Sequence, residues 1–229
     1  VDKYDAWVID RVNPWNARIP VYVQGGSFTL PLPVDPETFR ESYQGYAVYT
    51  QTVGTNPFTF FDPKIGARLG IGDPLHGLNA EFFAGPGHDR QSGVPSTGVD
   101  FMASAQDGIG PLTLTAYRYA GSRPVVSGPV DFFQRFGYGL VYDQWGRLSS
   151  ESVLQTGTDS NCGFGPACRS SGGLTQLRYA FSGRLFAQAR YEGTDDPTNG
   201  FQRDAVLALG FGPAENQRIT IEDVVQHVP

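Results

Sequence analysis

The chain has 229 residues, and its 29 Gly and 17 Pro together make 46 of them, about 20%, which excludes a mostly helical protein because both residue types interrupt helices. Charged residues are 17%, aromatics 13% and the formal net charge is -6; a disordered chain would carry fewer aromatics, and a nucleic-acid binder would need a basic face. No stretch approaches the roughly 20 consecutive apolar residues of a membrane helix, so a chain of this composition that spans a membrane does so with strands.

Residues 1–16 read as an N-terminal extension or a partial strand, with YDAWVIDRV (4–12) the nearest approach to a strand pattern. The start at Val1, without Met and without a basic and apolar signal segment, is what a processed mature chain or an internal fragment would have. Residues 17–229 are expected to form one β domain. Within it, ARIPVYVQ (17–24) and YQGYAVYTQTV (43–53) predict two strands with weak alternation. Between them, Gly26 to Glu41 is long, proline-rich and apolar, and reads either as an ordered surface loop or as a segment that folds inward or packs on a partner. NPFTFFDP, with Phe58, Phe60 and Phe61, suggests an interfacial aromatic anchor or a contact patch.

From Ile65 onward the chain resolves into segments with period-two alternation, the signature of strands with two different faces. Ile65, Ala67, Leu69 and Ile71 oppose Gly66, Arg68 and Gly70. After a turn at Asp73-Pro74, Leu78, Ala80, Phe82 and Ala84 oppose Asn79 and Glu81. Val99, Phe101, Ala103 and Ala105 oppose Asp100, Ser104 and Gln106, and a turn at GIGP leads to Leu112, Leu114 and Ala116. Phe136, Tyr138, Leu140 and Tyr142 oppose glycines and Asp143, with a turn at Trp145-Gly146 into RLSSESVLQ. Leu177, Tyr179 and Phe181 oppose Gln176 and Arg178; two residues, Ser182-Gly183, then turn the chain into Leu185, Ala187, Ala189 and Tyr191 against Gln188, Arg190 and Glu192. Leu207, Leu209 and Phe211 lead through a turn at 213–216 to RITIEDVV. Five hairpins give ten strands, and the two weaker segments raise the expectation to about twelve or more.

The connections between these strands alternate in length. DPLHG, DGIGP, QWGR, FSGR and GPAEN are tight, whereas AGPGHDRQSGVPSTG, AGSRPVVSGPVDFFQ, TGTDSNCGFGPACRSSGG and EGTDDPTNG are long. Through hairpins such as LTQLRYAFSGRLFAQARYEG and aromatic-tipped strands such as FGYGLVYDQW and LTAYRYAG, residues 17 to 226 resemble bacterial outer-membrane β-barrels as a class. That resemblance implies an all-β, antiparallel, up-and-down transmembrane barrel in the bacterial outer membrane, in contact with its lipid. Such barrels pair short periplasmic turns with longer extracellular loops and usually end on an aromatic residue. This chain stops at His227-Val228-Pro229, and ITIEDVV would run toward the long-loop end, so a terminal strand is expected to be missing.

The polar face supplies the candidate site. Arg18, Arg68, Glu81, Asp143, Glu151, Arg178, Arg190, Glu192 and Glu222 would line a lumen, either as an open pore or as a network that plugs it, since barrels of about eight strands are filled and those of sixteen carry channels. Fifteen of the 17 basic residues are arginine, only Lys3 and Lys64 being lysine, which favours fixed, directional contacts. Gly66, Gly70, Gly137 and Gly139 on this face leave room for water or an inserted polypeptide. The function that follows is a passive porin-like channel for small polar solutes or ions. The alternatives are a structural or partner-holding barrel with a second protein subunit in or on it, and a secreted soluble β-sandwich used for binding, whose core would be the apolar faces.

Enzymatic chemistry has little material. His88 and Asp89 are adjacent and point apart on an extended backbone, and no GxSxG elbow is present. His76 and His227 are isolated, so no imidazole metal site is expected, and Asp159, Asp195 and Asp196 fit no calcium-loop spacing. The glycines from Gly66 to Gly72 precede no helix and so do not cradle phosphate. No cofactor and no nucleic acid are expected. Cys162 and Cys168, with five residues between them in a Gly- and Pro-rich loop, are expected to pair as a disulfide in an oxidising compartment.

Overall fold

A computed structural model describes residues 19–28, 30–34, 45–51, 64–73, 77–88, 95–123, 130–144, 147–160, 167–197, 200–214 and 217–227. Eleven strands are laid down in chain order: β1 (Val21–Phe28), β2 (Lys64–Gly72), β3 (Asn79–His88), β4 (Pro95–Ile109), β5 (Leu112–Arg123), β6 (Asp131–Gln144), β7 (Leu148–Asp159), β8 (Cys168–Ala180), β9 (Leu185–Asp196), β10 (Gly200–Ala214) and β11 (Gln217–His227). They form one sheet in which every neighbour in space is a neighbour in sequence and every pair is antiparallel. The all-β, up-and-down expectation is thus met, while β1 and β11 remain unpaired with each other, and the sheet is not closed among the described residues. Because eleven is odd, these two edges run in the same direction.

Ten expected strands from Ile65 onward and the one at 17–24 are present, with β1 beginning at Val21. The expected strand at 43–53 is not: Ala47–Thr50 is a single helical turn, α1, leaving Gln51 extended behind it. Tyr46, Val48 and Tyr49 are wholly buried there. An apolar run this short satisfies a period of two and a helical turn equally well, and packing decides between them. The connection lengths also differ from expectation. The strands run on through much of what reads as long loop: β4 begins at Pro95, β5 ends at Arg123, β7 ends at Asp159, β8 begins at Cys168 and β9 ends at Asp196. Ser171, Gly172 and Gly173, weak strand formers, are carried in β8 by ladders on both sides. The segment 4–12, Arg18, Asp89, Phe58, Phe60, Phe61 and Cys162 lie outside the described residues.

The two faces of the sheet are inverted relative to a water-soluble domain. Ile65, Leu69, Phe82, Phe101, Leu140, Leu154, Leu207 (60%) and Ile221 (71%) are exposed, while Glu81, Asp100, Arg135, Glu151, Gln176, Arg190, Glu192 and Asp204 are buried on the other side. On the buried face lie the described parts of the connection between β1 and β2, residues 30–34 and 45–51. Leu30, Leu32, Val34, Tyr46, Val48 and Tyr49 join Phe83, Met102, Tyr117, Tyr119, Phe133, Val153 and Leu174 in one cluster. Side chains from β3 through β8 meet in that cluster, so the sheet curls around it. Of the two readings of Gly26 to Glu41, the described stretch Leu30–Val34 follows the inward one.

The ladders are strongly staggered. From Gln24 in β1 the direct partners are Arg68, Phe83, Met102, Tyr119, Arg135, Gly157 and Ser170, a path that leaves mid-strand and arrives at the start of β8. From Glu222 in β11, the path through Ala208, Gln188, Arg178 and Ser149 reaches Asp143 at the end of β6. Strands displaced in one sense at each step tilt together, the geometry that lets a sheet close on itself.

Candidate functional site

Alternation places side chains of β1 to β11 on the buried face every second residue, and eight of the nine charged residues singled out from the sequence share it; Arg18 is the ninth. The structure brings four of the eight together as two pairs, Arg68 with Glu81 and Arg190 with Glu192, each within a wider group. Nearer the start of the sheet, Arg68 donates to Gln24 Oε1 and to Glu81 Oε2 (3.1 Å), while Glu81 also accepts from Tyr22 and, at 3.1 Å, from the Asn79 amide. Three strands thus contribute to one charge-assisted cluster. Gly70 permits it, because any side chain there would overlap the Tyr22 ring.

The second group holds α1. Arg190 and Glu192 are consecutive inward residues of β9, with Nε and Oε1 2.7 Å apart and neither side chain more than 1% exposed. The N–H is not aligned on that oxygen, so the attraction is charge against charge. Arg190 donates to the Gly45 carbonyl at 3.2 Å, and its guanidinium lies 4.7 Å over the Tyr46 ring. Glu192 Oε2 accepts from the Val48 amide at 3.4 Å. The Gln155 amide of β7 donates to the Val48 carbonyl at 3.1 Å, and Gln51 donates to the carbonyls of Ser171 and Asp195. The free backbone groups of a single helical turn, which has too few residues to satisfy them itself, are therefore met by the sheet.

Beside this lock, a relay crosses three strands. Gln188 donates to Gln176 and Gln176 to Glu151, both at 2.7 Å. Tyr117 donates to Gln155, and Tyr119 to Asp100. Arg178 lies 4.8 Å over the Phe186 ring. Asp143 occupies the same face but at the exposed end of β6, and Glu222 is half-buried on the edge strand β11. Pro33 fills the space over Gly139, Tyr117 that over Gly137 and Phe83 that over Gly66; the room left by these glycines is taken by rings and by the inserted segment.

The sequence pattern puts Gln176 and Gln188 on the polar face, but the candidate lumen set holds only charged residues and none of the amides or tyrosines. Gln24, Gln155, Gln176 and Gln188 share the alternation of the charged residues, and that was the signal available. No group of His, Cys, Asp and Glu placed to hold a metal ion occurs among the described residues, and no helix there is long and apolar enough to cross a membrane. Cys168 opens β8 and is buried there. Compared with known proteins, the chain matches no family model and no curated sequence.

Proposed function

We propose that this chain is a bacterial outer-membrane β-barrel whose interior is narrowed by its own β1–β2 connection, and that it passes small polar solutes or ions through the space this constriction leaves. One observation carries the membrane reading: every strand from β2 to β11 presents large apolar side chains on the exposed face while the buried face carries most of the charges and amides, the polarity of a lipid-facing sheet with a polar interior. A soluble sandwich would bury the apolar face against a second sheet, and none covers it among the described residues. The common tilt of the strands supports closure, and one further strand antiparallel to both edges would complete it. Such a barrel needs detergent for extraction and changes gel migration on heating; a protein that stays soluble and monomeric without detergent defeats this reading.

Planar-bilayer recording separates the roles. Small conductance steps are expected from the wild type. Gln155→Ala, which removes a neutral anchor of the inserted segment and leaves the ion pair intact, should enlarge them. A second reading, a structural or partner-holding barrel, draws on the full burial of Arg190 and Glu192, because pore-lining charges would be wet. Silence in both proteins, with a second subunit co-purifying, selects that role.

A further inference from the structure

The exposed face is not apolar throughout. Where β5 to β8 approach the connections 124–130 and 160–167, the ladders align four polar side chains across it. Arg169 pairs in register with Thr158 and Thr158 with Gln134, and Arg118 donates to Gln134 Oε1 at 3.2 Å. Two open depressions, of about 500 and 410 Å³, meet here with Thr158 in the wall of both; Arg169 lines the larger and Arg118 the smaller. Arg118 has a neutral setting, the Gln134 amide and the Phe136 ring 5.4 Å away. Arg169 makes no ion pair among the described residues. Asp195 stands exposed on the same face and lines the larger depression, in register with Ser171, the next outward residue after Arg169, and Asp159 reaches the smaller one from the buried face. Next along the strands, away from those connections, stand the exposed Phe136, Tyr138 and Leu154.

Two guanidinium groups with no ion pair among the described residues, beside the exposed Phe136, Tyr138 and Leu154, match an anion attached to hydrocarbon. We propose that Arg118 and Arg169 seat the phosphate of an anionic lipid, with Thr158 beneath it and the acyl chains along Phe136, Tyr138 and Leu154; this rests on the membrane reading above. Arginine suits the task because its planar fork matches phosphate oxygens. Three strand spacings of about 4.8 Å separate the two residues, a gap that two arginine side chains can close from opposite sides.

The experiment uses the full chain in a neutral detergent and native mass spectrometry, with phosphatidic acid and phosphatidylcholine of identical acyl chains as probes. Phosphatidic acid should be retained at least about ten-fold more tightly. The double variant Arg118→Gln/Arg169→Gln should lose that preference while keeping its heat-modifiable migration. Equal retention of the two lipids by the wild type, or an undiminished preference in the variant, overturns the seat. Competition by millimolar inorganic phosphate down to the phosphatidylcholine level shows a site for free anions and overturns it too. Failure in a sample that needs detergent and shifts on heating rejects the seat alone, whereas a chain soluble and monomeric without detergent rejects the barrel with it.

Discussion

Glu192 meets three demands at once: it is buried, it faces Arg190, and it accepts from the Val48 amide. A buried pair is costly to assemble but more costly to halve, since removing one partner leaves the other charged and desolvated. Glu192→Ala should therefore destabilise the folded protein by about 3 to 5 kcal/mol, measured by urea unfolding in lipid vesicles. Replacing both residues, as Arg190→Met/Glu192→Leu, should cost less than the single change; a double variant as damaged as the single one would mean that the contacts to Gly45 and Val48, not the charges, hold this region. Cys168 poses a smaller question. Its expected partner, Cys162, would close a loop short enough that the bridge contributes less than the roughly 3 kcal/mol typical of fifteen residues. Alkylation without reductant, followed by mass spectrometry, should leave both cysteines unlabelled.

At the level of strands, each outward position meets a different medium from its inward neighbour, and the two respond oppositely to substitution. Leu207, 60% exposed on β10, should tolerate Arg in water; in a bilayer the change should cost about 2 to 4 kcal/mol near the midplane, read from unfolding in vesicles against detergent. Gly139→Leu acts inward. It overlaps Pro33, so it should displace the inserted segment and enlarge the bilayer conductance while β6 keeps its pairing. Strands β2 to β11 were legible because a sheet with unlike faces must alternate and the residues obey that on both sides. The turn at Ala47–Thr50 was not, since its burial comes from β8 and β9, far away in sequence. Connection lengths misled for a related reason: glycine and serine were read by local preference, whereas ladders on both sides hold them extended in β8. The charged half of the site was visible as an alternating set, but which of its members meet depends on register between strands. Tyr22, Tyr117 and Tyr119 escaped notice because their rings suit either face and only hydrogen bonding to Glu81, Gln155 and Asp100 declares their side.

For the whole molecule, the inversion of polarity makes an accessibility experiment sharp. A spin label at Leu207 should be reached by a lipid-soluble quencher, and one at Gln188, 3% exposed on the opposite face, should be shielded from it; equal quenching of both would contradict an inside and an outside. The odd number of described strands also sets a geometric condition. Edges that run the same way cannot be joined antiparallel to each other, and one strand of opposite direction satisfies both.

The lock around α1 also constrains the order of events in time. Val48 is bound by Glu192, 144 residues further along the chain, whereas each neighbouring pair of strands closes through its own connection. From β2 onward, hairpins can zip successively, each closing only a small loop, yet the segment synthesised early has no docking surface until β7, β8 and β9 stand side by side. The first part of the sheet to be made is thus adjacent to the last contact to form. During that interval Tyr46 and Tyr49 lack their packing partners, so protease cleavage between Phe28 and Lys64 should outlast the appearance of strand structure in a refolding time course.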